Sequence, residues 1–164
     1  MTSAPDTSGV EGLAIRQATR ADLLAGFRIE KAVFPQPWPF ASFEQFVGES
    51  GFLVGVRDDA VVGYAVSDVT PNHGRDIGHL KDIAVHPSVQ HQGIGRALLE
   101  RVLLTLSVEG AQVVKLEVRE SNQPAQSLYD DVGFEAVRRI PGYYDDGEDA
   151  YVMLLDLTDW TASG

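Results

Sequence analysis

The sequence predicts an α/β layer with a mixed sheet. About seven strand-like and four helix-like segments follow in the order β-α-α-β-β-β-α-β-α-β-β. Three strands run consecutively before the longest helix, which argues against a doubly wound nucleotide fold. The length of 164 residues and the 44% hydrophobic content suit a single globular domain. We expect that domain over residues 13–157, between a disordered N-terminal tail (residues 1–12) and a C-terminal tail (residues 158–164).

Caps and periodicity define the elements of the first half. Thr19 is a good N-cap for a helix over residues 20–33, whose apolar face comprises Leu23, Leu24, Phe27 and Ile29. Three prolines within residues 34–40 exclude a regular element there. Strand-like runs over residues 52–57 and 61–68 flank Asp58-Asp59-Ala60, which predicts a hairpin. The other expected elements are a strand at residues 13–17 and a helix at residues 42–49.

The second half contains the clearest helix of the sequence. A strand over residues 79–85 ends at His86-Pro87. The helix then covers residues 94–109 and ends at Gly110; its wide apolar stripe consists of Leu98, Leu99, Val102, Leu103 and Leu106. The remaining expected elements are a loop at residues 71–78, a strand at 112–119, a helix at 122–131, and strands at 134–140 and 149–157 joined by the polar turn 145–148.

Composition excludes several classes of function. The chain has no cysteine, so disulfides, thiolate nucleophiles and cysteine zinc sites are absent. Its four histidines lack the spacing of a helical metal site, and we expect no metal. The net charge of −11 argues against nucleic acid as a partner and suits a cationic substrate. No apolar run reaches the length of a membrane span and no secretory signal is evident, so we expect no membrane partner and a cytoplasmic location.

The charged residues are strongly biased towards carboxylates. Ten Arg and three Lys stand against 14 Asp and 10 Glu. This bias resembles that of proteins from salt-loving organisms, whose carboxylate surfaces are screened by concentrated salt. We treat adaptation to high salt as a hypothesis.

A glycine-rich turn lies between the strand at residues 79–85 and the longest helix. The first N–H groups of a helix have no internal partners and attract phosphate, and glycines let a pyrophosphate reach the backbone. Gly93 and Gly95 occupy this turn, and Arg96 adds a positive charge in the first helical turn. The P-loop and dinucleotide-binding patterns both fail here, because neither a Gly-Lys-Ser/Thr sequence nor a third glycine at Leu98 is present. On pattern alone, a tight turn without a ligand stays an alternative.

Three motifs carry a resemblance to a known family. Residues 83–99 read Ile-Ala-Val-His-Pro-Ser-Val-Gln-His-Gln-Gly-Ile-Gly-Arg-Ala-Leu-Leu, which resembles the acetyl-CoA motif of the GNAT N-acetyltransferases. Gln90, Gly93 and Gly95 fill its Q/R-x-x-G-x-G/A pattern. Residues 116–134 and 143–153 are similar to the RimI-type protein N-terminal acetyltransferases, and the resemblance covers about residues 13–157.

The resemblance implies a fold, a co-substrate and a set of site residues. The fold is the GNAT acyl-CoA N-acyltransferase fold, an α+β fold whose mixed, mostly antiparallel sheet of about seven strands is flanked by about four helices. Glu117 would be the general base and Tyr129 the general acid. The residues expected to bind acetyl-CoA are Ile83, Ala84, Val85, His91, Gln92, Gly93, Ile94, Gly95, Arg96 and Asn122. Those expected to face the acceptor are Phe34, Pro35, Trp38, Tyr143 and Tyr144.

The expected acceptor is the N-terminus of a protein or peptide, including a ribosomal-protein alanine as in RimI-type enzymes, and we expect a monomer or weak dimer. A lysine or small-amine acetyltransferase and a non-catalytic acetyl-CoA-sensing module remain alternatives. Pattern alone makes Glu117 a solvated strand residue and Tyr129 a core aromatic. Likewise, Tyr143 and Tyr144 would be strand aromatics, and the loop at residues 34–40 a hydrophobic staple. Pro141-Gly142 departs from the family pattern in the loop that shapes the acceptor pocket.

Overall fold

The computed structural model describes residues 10–160, so residues 1–9 and 161–164 of the predicted tails lie outside the described residues. Seven strands form one sheet in the order β1-β2-β3-β4-β5-β7-β6. The strands are β1 (Ala14–Gln17), β2 (Phe52–Arg57), β3 (Ala60–Thr70), β4 (Ile77–Val85), β5 (Val113–Arg119), β6 (Glu135–Ile140) and β7 (Ala150–Asp156). The α-helices are α1 (Leu23–Val33), α2 (Phe40–Glu44), α3 (Ile94–Val108) and α4 (Gln123–Val132).

The sheet is mixed and mostly antiparallel. Strand pairs β1–β2, β2–β3, β5–β7 and β6–β7 are antiparallel, whereas β4 and β5 are parallel. A parallel pair needs a crossover connection, and α3 supplies it. The predicted fold class, a mixed, mostly antiparallel sheet with four helices, is confirmed.

The described chain divides into two compact units. The first contains the described residues up to Ser67 together with Asp82–Thr105, and the second contains Asp68–Lys81 and the described residues from Leu106 onwards. The two units are described separately below. The single domain expected over residues 13–157 stays a prediction.

The hairpin of the first unit follows its turn residues. Arg57 and Ala60 are paired, so the loop between β2 and β3 has two residues, Asp58 and Asp59, with φ of 51° and 62°. Positive φ at both positions is the signature of a type I′ turn, whose twist matches that of the flanking strands. The predicted hairpin is confirmed.

Both helices of the first half differ in detail from the prediction. A 3-10 turn over Arg20–Asp22 precedes α1. Leu24 is 51% exposed, so its place on the predicted apolar face is wrong; the buried face of α1 instead includes Gly26 and Glu30. The second helix starts at Phe40 and ends at Glu44, because the following residues form i to i−3 turns such as Phe46 N–H to Phe43 C=O.

The longest helix is the most faithfully predicted element. All five residues of its predicted apolar stripe are fully buried, namely Leu98, Leu99, Val102, Leu103 and Leu106. In the second unit, burial alternates along β5, with Val114, Leu116 and Val118 inside. Within the described residues, no helix combines the length and apolarity that a bilayer span requires.

Candidate functional site

The turn between β4 and α3 is shaped by its own side chains. Gln90 Nε2 donates to the carbonyl of Val85 at 3.1 Å, which ties the turn to the end of β4. His91 and Gly93 adopt positive φ, at 64° and 86°. The N–H of Ala97 donates to the carbonyl of Gly93 at 3.0 Å, so Gly93 is the N-cap of α3. The amides of Ile94, Gly95 and Arg96 therefore precede the intrahelical hydrogen-bond ladder.

This turn has the chemistry of a phosphate cradle. Amides at a helix N-terminus, with the helix dipole behind them, favour an anion. The side chain of Arg96 lies along α3, where its Nε donates to Glu100 Oε1 at 2.9 Å. A second cation reaches the turn from β2: Arg57 Nη1 donates to Gln92 Oε1 at 2.7 Å. Arg57 Nε is buried without an acceptor among the described residues; sequence reasoning missed this arginine because it is distant along the chain.

The end of β4 offers backbone rather than side-chain groups. Ala84 is buried, and Ile83 and Val85 are half-buried against the cluster formed by Leu13 and the start of α3. Their side chains are engaged in packing, so any ligand along this strand would meet carbonyl and N–H groups. This is the use that the resemblance implies for these three residues.

The proline-rich loop over residues 34–39 is hydrogen-bonded to a buried carboxylate of α1. Glu30 is 2% exposed, and its Oε2 accepts from the N–H of Trp38 at 2.8 Å. The Trp38 ring lies 5.5 Å from that of Phe43, centroid to centroid. Phe34 also packs on the core, whereas Pro35 is exposed. The loop therefore covers the core of the first unit as the staple alternative expects, while Pro35 remains accessible.

Glu30 belongs to a buried acidic cluster that the sequence did not reveal. The Tyr64 hydroxyl donates to Glu30 Oε1 and lies 3.3 Å from Asp82 Oδ2. Burial, and then the hydrogen bond and negative charge of Glu30, raise the pKa of Asp82 well above its ordinary value. Burial and the two carboxylates also raise the pKa of Tyr64. Such a cluster is stable when a proton is shared between the two carboxyl groups.

Glu117 lies on β5 in the second unit. Parallel pairing of β4 with β5 runs from Ile77 with Val113 to Leu80 with Leu116, so Glu117 is one position beyond its end. Its Oε1 lies 2.7 Å from Nε2 of His79, and its side chain is 12% exposed. Burial acts to raise its pKa, but the hydrogen bond and charge of His79, followed by Lys115 and Lys81, outweigh burial and lower it. Glu117 is therefore a carboxylate at neutral pH.

The loop between β6 and β7 brings a tyrosine to Glu117. Burial, then the charge of Glu117 and a hydrogen bond to it, raise the pKa of Tyr143. Tyr143 is 46% exposed, and its ring meets that of Tyr144 edge to face at 5.0 Å. Of the two tyrosines predicted to face the acceptor, Tyr143 is thus the one that is hydrogen-bonded to Glu117, the predicted base.

Arg119 holds this loop in place. Its Nη1 donates to Asp146 Oδ2 and to Glu148 Oε1, both at 2.8 Å. Its guanidinium lies over the Tyr144 ring, 4.0 Å from the centroid. Hydrogen bonds from Ser121 and Arg119 lower the pKa of Glu148 to about 2. Arg119 therefore pairs with two carboxylates of the acidic turn. In the described part of the chain, no group of three or more His, Asp or Glu is placed to hold a metal ion.

The two remaining predicted residues lie on α4. Asn122 is its N-cap, with Oδ1 accepting from the N–H of Ala125 at 3.2 Å, so only its NH₂ group is left to donate to a ligand. Tyr129 is 6% exposed, and its ring packs edge to face on Phe134 with centroids 5.8 Å apart. The core packing that pattern alone favours for Tyr129 is present.

The predicted residues thus fall into separate groups. The turn residues His91, Gln92, Gly93, Ile94, Gly95 and Arg96 lie together in the first unit with Ile83, Ala84 and Val85, and so do Phe34, Pro35 and Trp38 of the loop. Glu117, Tyr143 and Tyr144 lie together in the second unit, which also holds Asn122 and Tyr129 on α4.

Comparison with known proteins shows that this chain is similar to a family of acetyltransferases. Residues 19–134 match the model of the acetyltransferase (GNAT) family. An N-alpha-acetyltransferase of Saccharolobus solfataricus is 34% identical over 155 residues, covering 87% of this chain and 92% of the relative. The [ribosomal protein bS18]-alanine N-acetyltransferase of Escherichia coli is 34% identical over 141 residues, covering 84% of this chain and 93% of the relative.

Solved structures agree with the sequence relatives. The crystal structure of the E. coli ribosomal-protein-S18-alanine enzyme matches with a TM-score of 0.76 at 31% identity, over 93% of this chain and 96% of that one. Ard1 of Thermoplasma volcanium matches with a TM-score of 0.82 at 26% identity, over 88% of this chain and 97% of that one.

Proposed function

This chain belongs to the acetyltransferase (GNAT) family, and we propose that it transfers the acetyl group of acetyl-CoA to N-terminal α-amino groups of proteins. The observation that carries the proposal is that Glu117 is an ionised carboxylate hydrogen-bonded to Tyr143 of the β6–β7 loop. The chain that contains this pair is 34% identical to an N-alpha-acetyltransferase. The relatives span nearly the whole chain, so the proposal concerns the entire catalytic domain.

The first unit is proposed to bind acetyl-CoA. The amides from His91 to Arg96 hold the pyrophosphate at the start of α3, and the backbone of Ile83, Ala84 and Val85 holds the pantetheine arm and the acetyl carbonyl. A strand amide in that segment stabilises the oxyanion that forms on attack. We propose that the NH₂ group of Asn122 contacts the pantetheine arm. Acetyl-CoA supplies the activated thioester, so no covalent enzyme intermediate is needed.

Glu117 is proposed as the general base. A free α-amine has a pKa of about 8, so much of it is protonated at neutral pH and must lose a proton before it can attack. The Glu117 carboxylate takes this proton, directly or through a water. The amine nitrogen then bonds to the acetyl carbon, and the carbonyl oxygen becomes the oxyanion. The carbonyl re-forms as the carbon–sulfur bond breaks. Holding both reactants together supplies much of the rate.

Tyr129 is proposed as the general acid. The Tyr129 hydroxyl donates a proton to the departing thiolate, and the second proton of the attacking nitrogen restores the hydroxyl. Over the whole reaction one proton, that taken by Glu117, is released to solvent.

The acceptor is proposed to be a protein N-terminus, including a ribosomal-protein alanine, because one relative bears that activity in its name. Pro35 is exposed on the proline-rich loop near Phe34 and Trp38, and Tyr143 and Tyr144 clasp the first residues of the peptide. A peptide backbone needs such a clasp and a small amine does not, which favours an α-amine over a lysine or small-amine acceptor. We further propose that the protein acts as a single domain, in the cytoplasm, as a monomer or weak dimer.

The test is a panel of peptides that differ in their first residue. Each peptide contains one internal lysine and is made with a free and with a blocked α-amine, and mass spectrometry locates the acetyl group after incubation with acetyl-CoA. We expect modification of the free α-amine only. Modification of lysine in the blocked peptides would establish the alternative acceptor. Binding of acetyl-CoA without turnover on any amine would instead indicate a sensing module.

A further inference from the structure

Both ends of the proline-rich loop over residues 34–39 are hydrogen-bonded to Glu30. The N–H of Phe34 donates to the Glu30 carbonyl at 3.0 Å, and the N–H of Trp38 donates to the Glu30 carboxyl group at 2.8 Å. Three of the six loop residues are prolines, which have no N–H to donate. Two of the three N–H groups in the loop therefore bond to one residue of α1. Residues 35–37, which lie between the two anchored positions, are exposed.

The ring of Trp38 adds a second contact to the same end of the loop. It stacks on Phe46 with centroids 6.1 Å apart and lies 5.5 Å from Phe43. Phe43 in turn meets the ring of Tyr64 edge to face at 5.4 Å, and the Tyr64 hydroxyl donates to Glu30. Trp38 is thus held through its backbone by Glu30 and through its ring by the core of the first unit.

Glu30 and Asp82 form a pair of carboxyl groups to which no cation is bonded. Glu30 is buried and Asp82 is half-buried, and no ion pair in the described part of the chain includes either of them. Two ionised carboxyl groups side by side in such a site repel each other, and burial penalises both charges. One proton on the pair removes most of this cost. The hydrogen bonds of each carboxyl group decide where that proton lies.

The donors around the pair assign the proton to Asp82. Glu30 already accepts from two donors, the hydroxyl of Tyr64 and the N–H of Trp38. The Tyr64 hydroxyl gives its one hydrogen to Glu30, so its 3.3 Å contact with Asp82 Oδ2 needs a hydrogen from Asp82. Burial, then the hydrogen bond and charge of Glu30, raise the pKa of Asp82; Tyr64 and the N–H of the next residue lower it by less. Glu30 is then a carboxylate, and its bond to the loop is charge-assisted.

We propose that Glu30 is the positioning residue of the acceptor loop: as the single negative charge of the cluster, with a proton on Asp82, it fixes the loop over residues 34–39 in the form that receives the peptide. The inference rests on the proposed function, which places this loop at the acceptor. Glu30 acts through the loop and not on the reacting atoms. Its loss should therefore raise the KM for the peptide and leave the chemical step and acetyl-CoA binding nearly unchanged.

The test compares two substitutions that keep the shape of each carboxyl group. Asp82→Asn replaces a protonated carboxyl group by an amide that is also neutral and also donates. At about pH 7 its KM for the peptide should stay within about twofold of wild type. Glu30→Gln has one acceptor oxygen in place of two, so it cannot accept from both Trp38 and Tyr64. Its KM should rise about tenfold or more, with kcat and the Kd for acetyl-CoA within about threefold of wild type.

Glu44→Gln is the matched control. Glu44 is an exposed glutamate of α2 in the same unit, 3.6 Å from Arg20, and its substitution should leave KM and kcat unchanged. If Glu30→Gln does not fold, Glu30→Asp takes its place with the same expectation, because it keeps the charge but is one carbon too short to reach the loop.

Three outcomes of these kinetics would overturn the inference. A raised KM in Asp82→Asn would contradict the proton on Asp82, and a wild-type KM in Glu30→Gln would contradict the anchor. A fall of kcat and of acetyl-CoA affinity equal to the rise in KM would make Glu30 a structural residue only. A wild type that acetylates no α-amine would refute the proposed function instead, and the two spectroscopic measurements would then decide whether Glu30 holds the loop.

Infrared spectroscopy locates the proton without turnover. A protonated carboxyl group has a carbonyl band that is separate from the bands of carboxylates. We expect this band in wild type at about pH 7, where an ordinary aspartate is ionised, and we expect Asp82→Asn to lose it. Absence of the band from wild type, or an unchanged band in Asp82→Asn, would contradict the inference.

Fluorescence of Trp38 reports on the anchor itself. The chain has two tryptophans, so Trp160→Phe leaves Trp38 as the single tryptophan. In that background, Glu30→Gln should raise the rate of acrylamide quenching about twofold or more, because the loop opens more often once its backbone anchor is lost. Asp82→Asn should leave the rate unchanged. Equal quenching in all three proteins would show that Glu30 does not hold the loop.

Discussion

At the scale of single residues, Glu117 shows what alternation along a strand leaves undecided. Its place between the buried Leu116 and Val118 is equally that of a solvated residue. What distinguishes it is its contact with His79, a residue 38 positions earlier in the chain. No periodicity within β5 contains that contact, because strand pairing creates it.

A substitution at Tyr129 distinguishes the packing of its ring from the proposed role of its hydroxyl as a proton donor. Tyr129→Phe keeps the ring that packs on Phe134 and removes only the hydroxyl. We expect kcat to fall about tenfold or more, because the thiolate loses its proton donor. The free energy of unfolding should fall by no more than about 1.5 kcal/mol, the net contribution of one hydrogen bond. Steady-state kinetics and urea denaturation measure the two effects.

Tyr151→Phe is the matched control, since Tyr151 is a half-buried tyrosine on β7. It should leave kcat unchanged. A Tyr129→Phe variant with wild-type kcat would refute the role of general acid and leave Tyr129 as a core residue.

At the scale of elements, the start of α3 depends on backbone conformation. Gly93 has φ of +86°, and a Cβ there would meet Val10 Cγ2 at 3.5 Å, an ordinary contact. Gly93→Ala should therefore cost about 1–2 kcal/mol of stability, from left-handed strain alone. We also expect it to weaken coenzyme A binding, because the turn relaxes away from the geometry that presents its amides. Calorimetric titration with coenzyme A and urea denaturation check both.

Gly110→Ala separates these two effects. Gly110 has φ of +95° at the end of α3, and the Cβ of an alanine at this position would have no neighbouring atom within 4 Å. It should lose similar stability and keep wild-type affinity. Equal affinity in the two variants would argue against the phosphate cradle.

The β6–β7 loop depends on Arg119. Arg119→Lys keeps the charge but cannot pair with Asp146 and Glu148 together while lying on the Tyr144 ring. We expect the KM for the peptide to rise about fivefold, with kcat within about twofold, because an interaction of about 1 kcal/mol is lost in binding. Arg75→Lys, whose exposed pair with Asp156 spans 3.7 Å, is the control. A KM unchanged in Arg119→Lys would remove the loop from the acceptor site.

The loop over residues 34–39 is anchored in a comparable way, through Glu30. Sequence reasoning recognised its prolines and aromatic residues but not its anchor. A glutamate on a helix is ordinarily exposed, and only packing against Tyr64 and Asp82 makes Glu30 a buried group. The staple alternative is therefore supported by the contacts of Trp38 and Phe34, and the acceptor role of the loop stays a proposal.

At the scale of the whole molecule, acid should destabilise the fold. Hydrogen bonds and arginines lower the pKa of Asp22, Asp146, Glu148 and Asp149, that of Glu148 to about 2. A group whose folded pKa is lowered stabilises the fold above its ordinary value near 4 and loses that contribution as the pH falls through the folded value. The Tm should therefore drop between about pH 4.5 and pH 2.

The pKa of Asp82 is shifted in the opposite direction. Because its pKa is raised, the folded state binds a proton more tightly than the unfolded state does. The contribution of Asp82 to the free energy of unfolding is therefore lost as the pH rises through its pKa in the folded state. Thermal denaturation followed by circular dichroism would measure the profile, with Glu148→Gln expected to flatten its acid side. A Tm that is constant down to about pH 2 would contradict the argument.

The net charge of −11 leads to a prediction about salt. Excess carboxylates repel one another in the compact state, and salt screens this repulsion. We expect the Tm to rise by several degrees as KCl increases from about 0.05 M to about 1 M, with sucrose of equal osmolality as the control. A Tm that is unchanged or higher in low salt would remove the hypothesis of adaptation to high salt.

The sequence by itself determined the order and type of the elements, the buried stripe of α3, the β2–β3 hairpin and the glycine turn, because each is encoded in the periodicity or turn chemistry of neighbouring residues. Only the tertiary structure decided the pairing of His79 with Glu117, the support of Trp38 by Glu30 and the binding of the acidic turn by Arg119. These contacts join residues that are distant along the chain. Strand register and helix packing bring them together, and no local pattern specifies either.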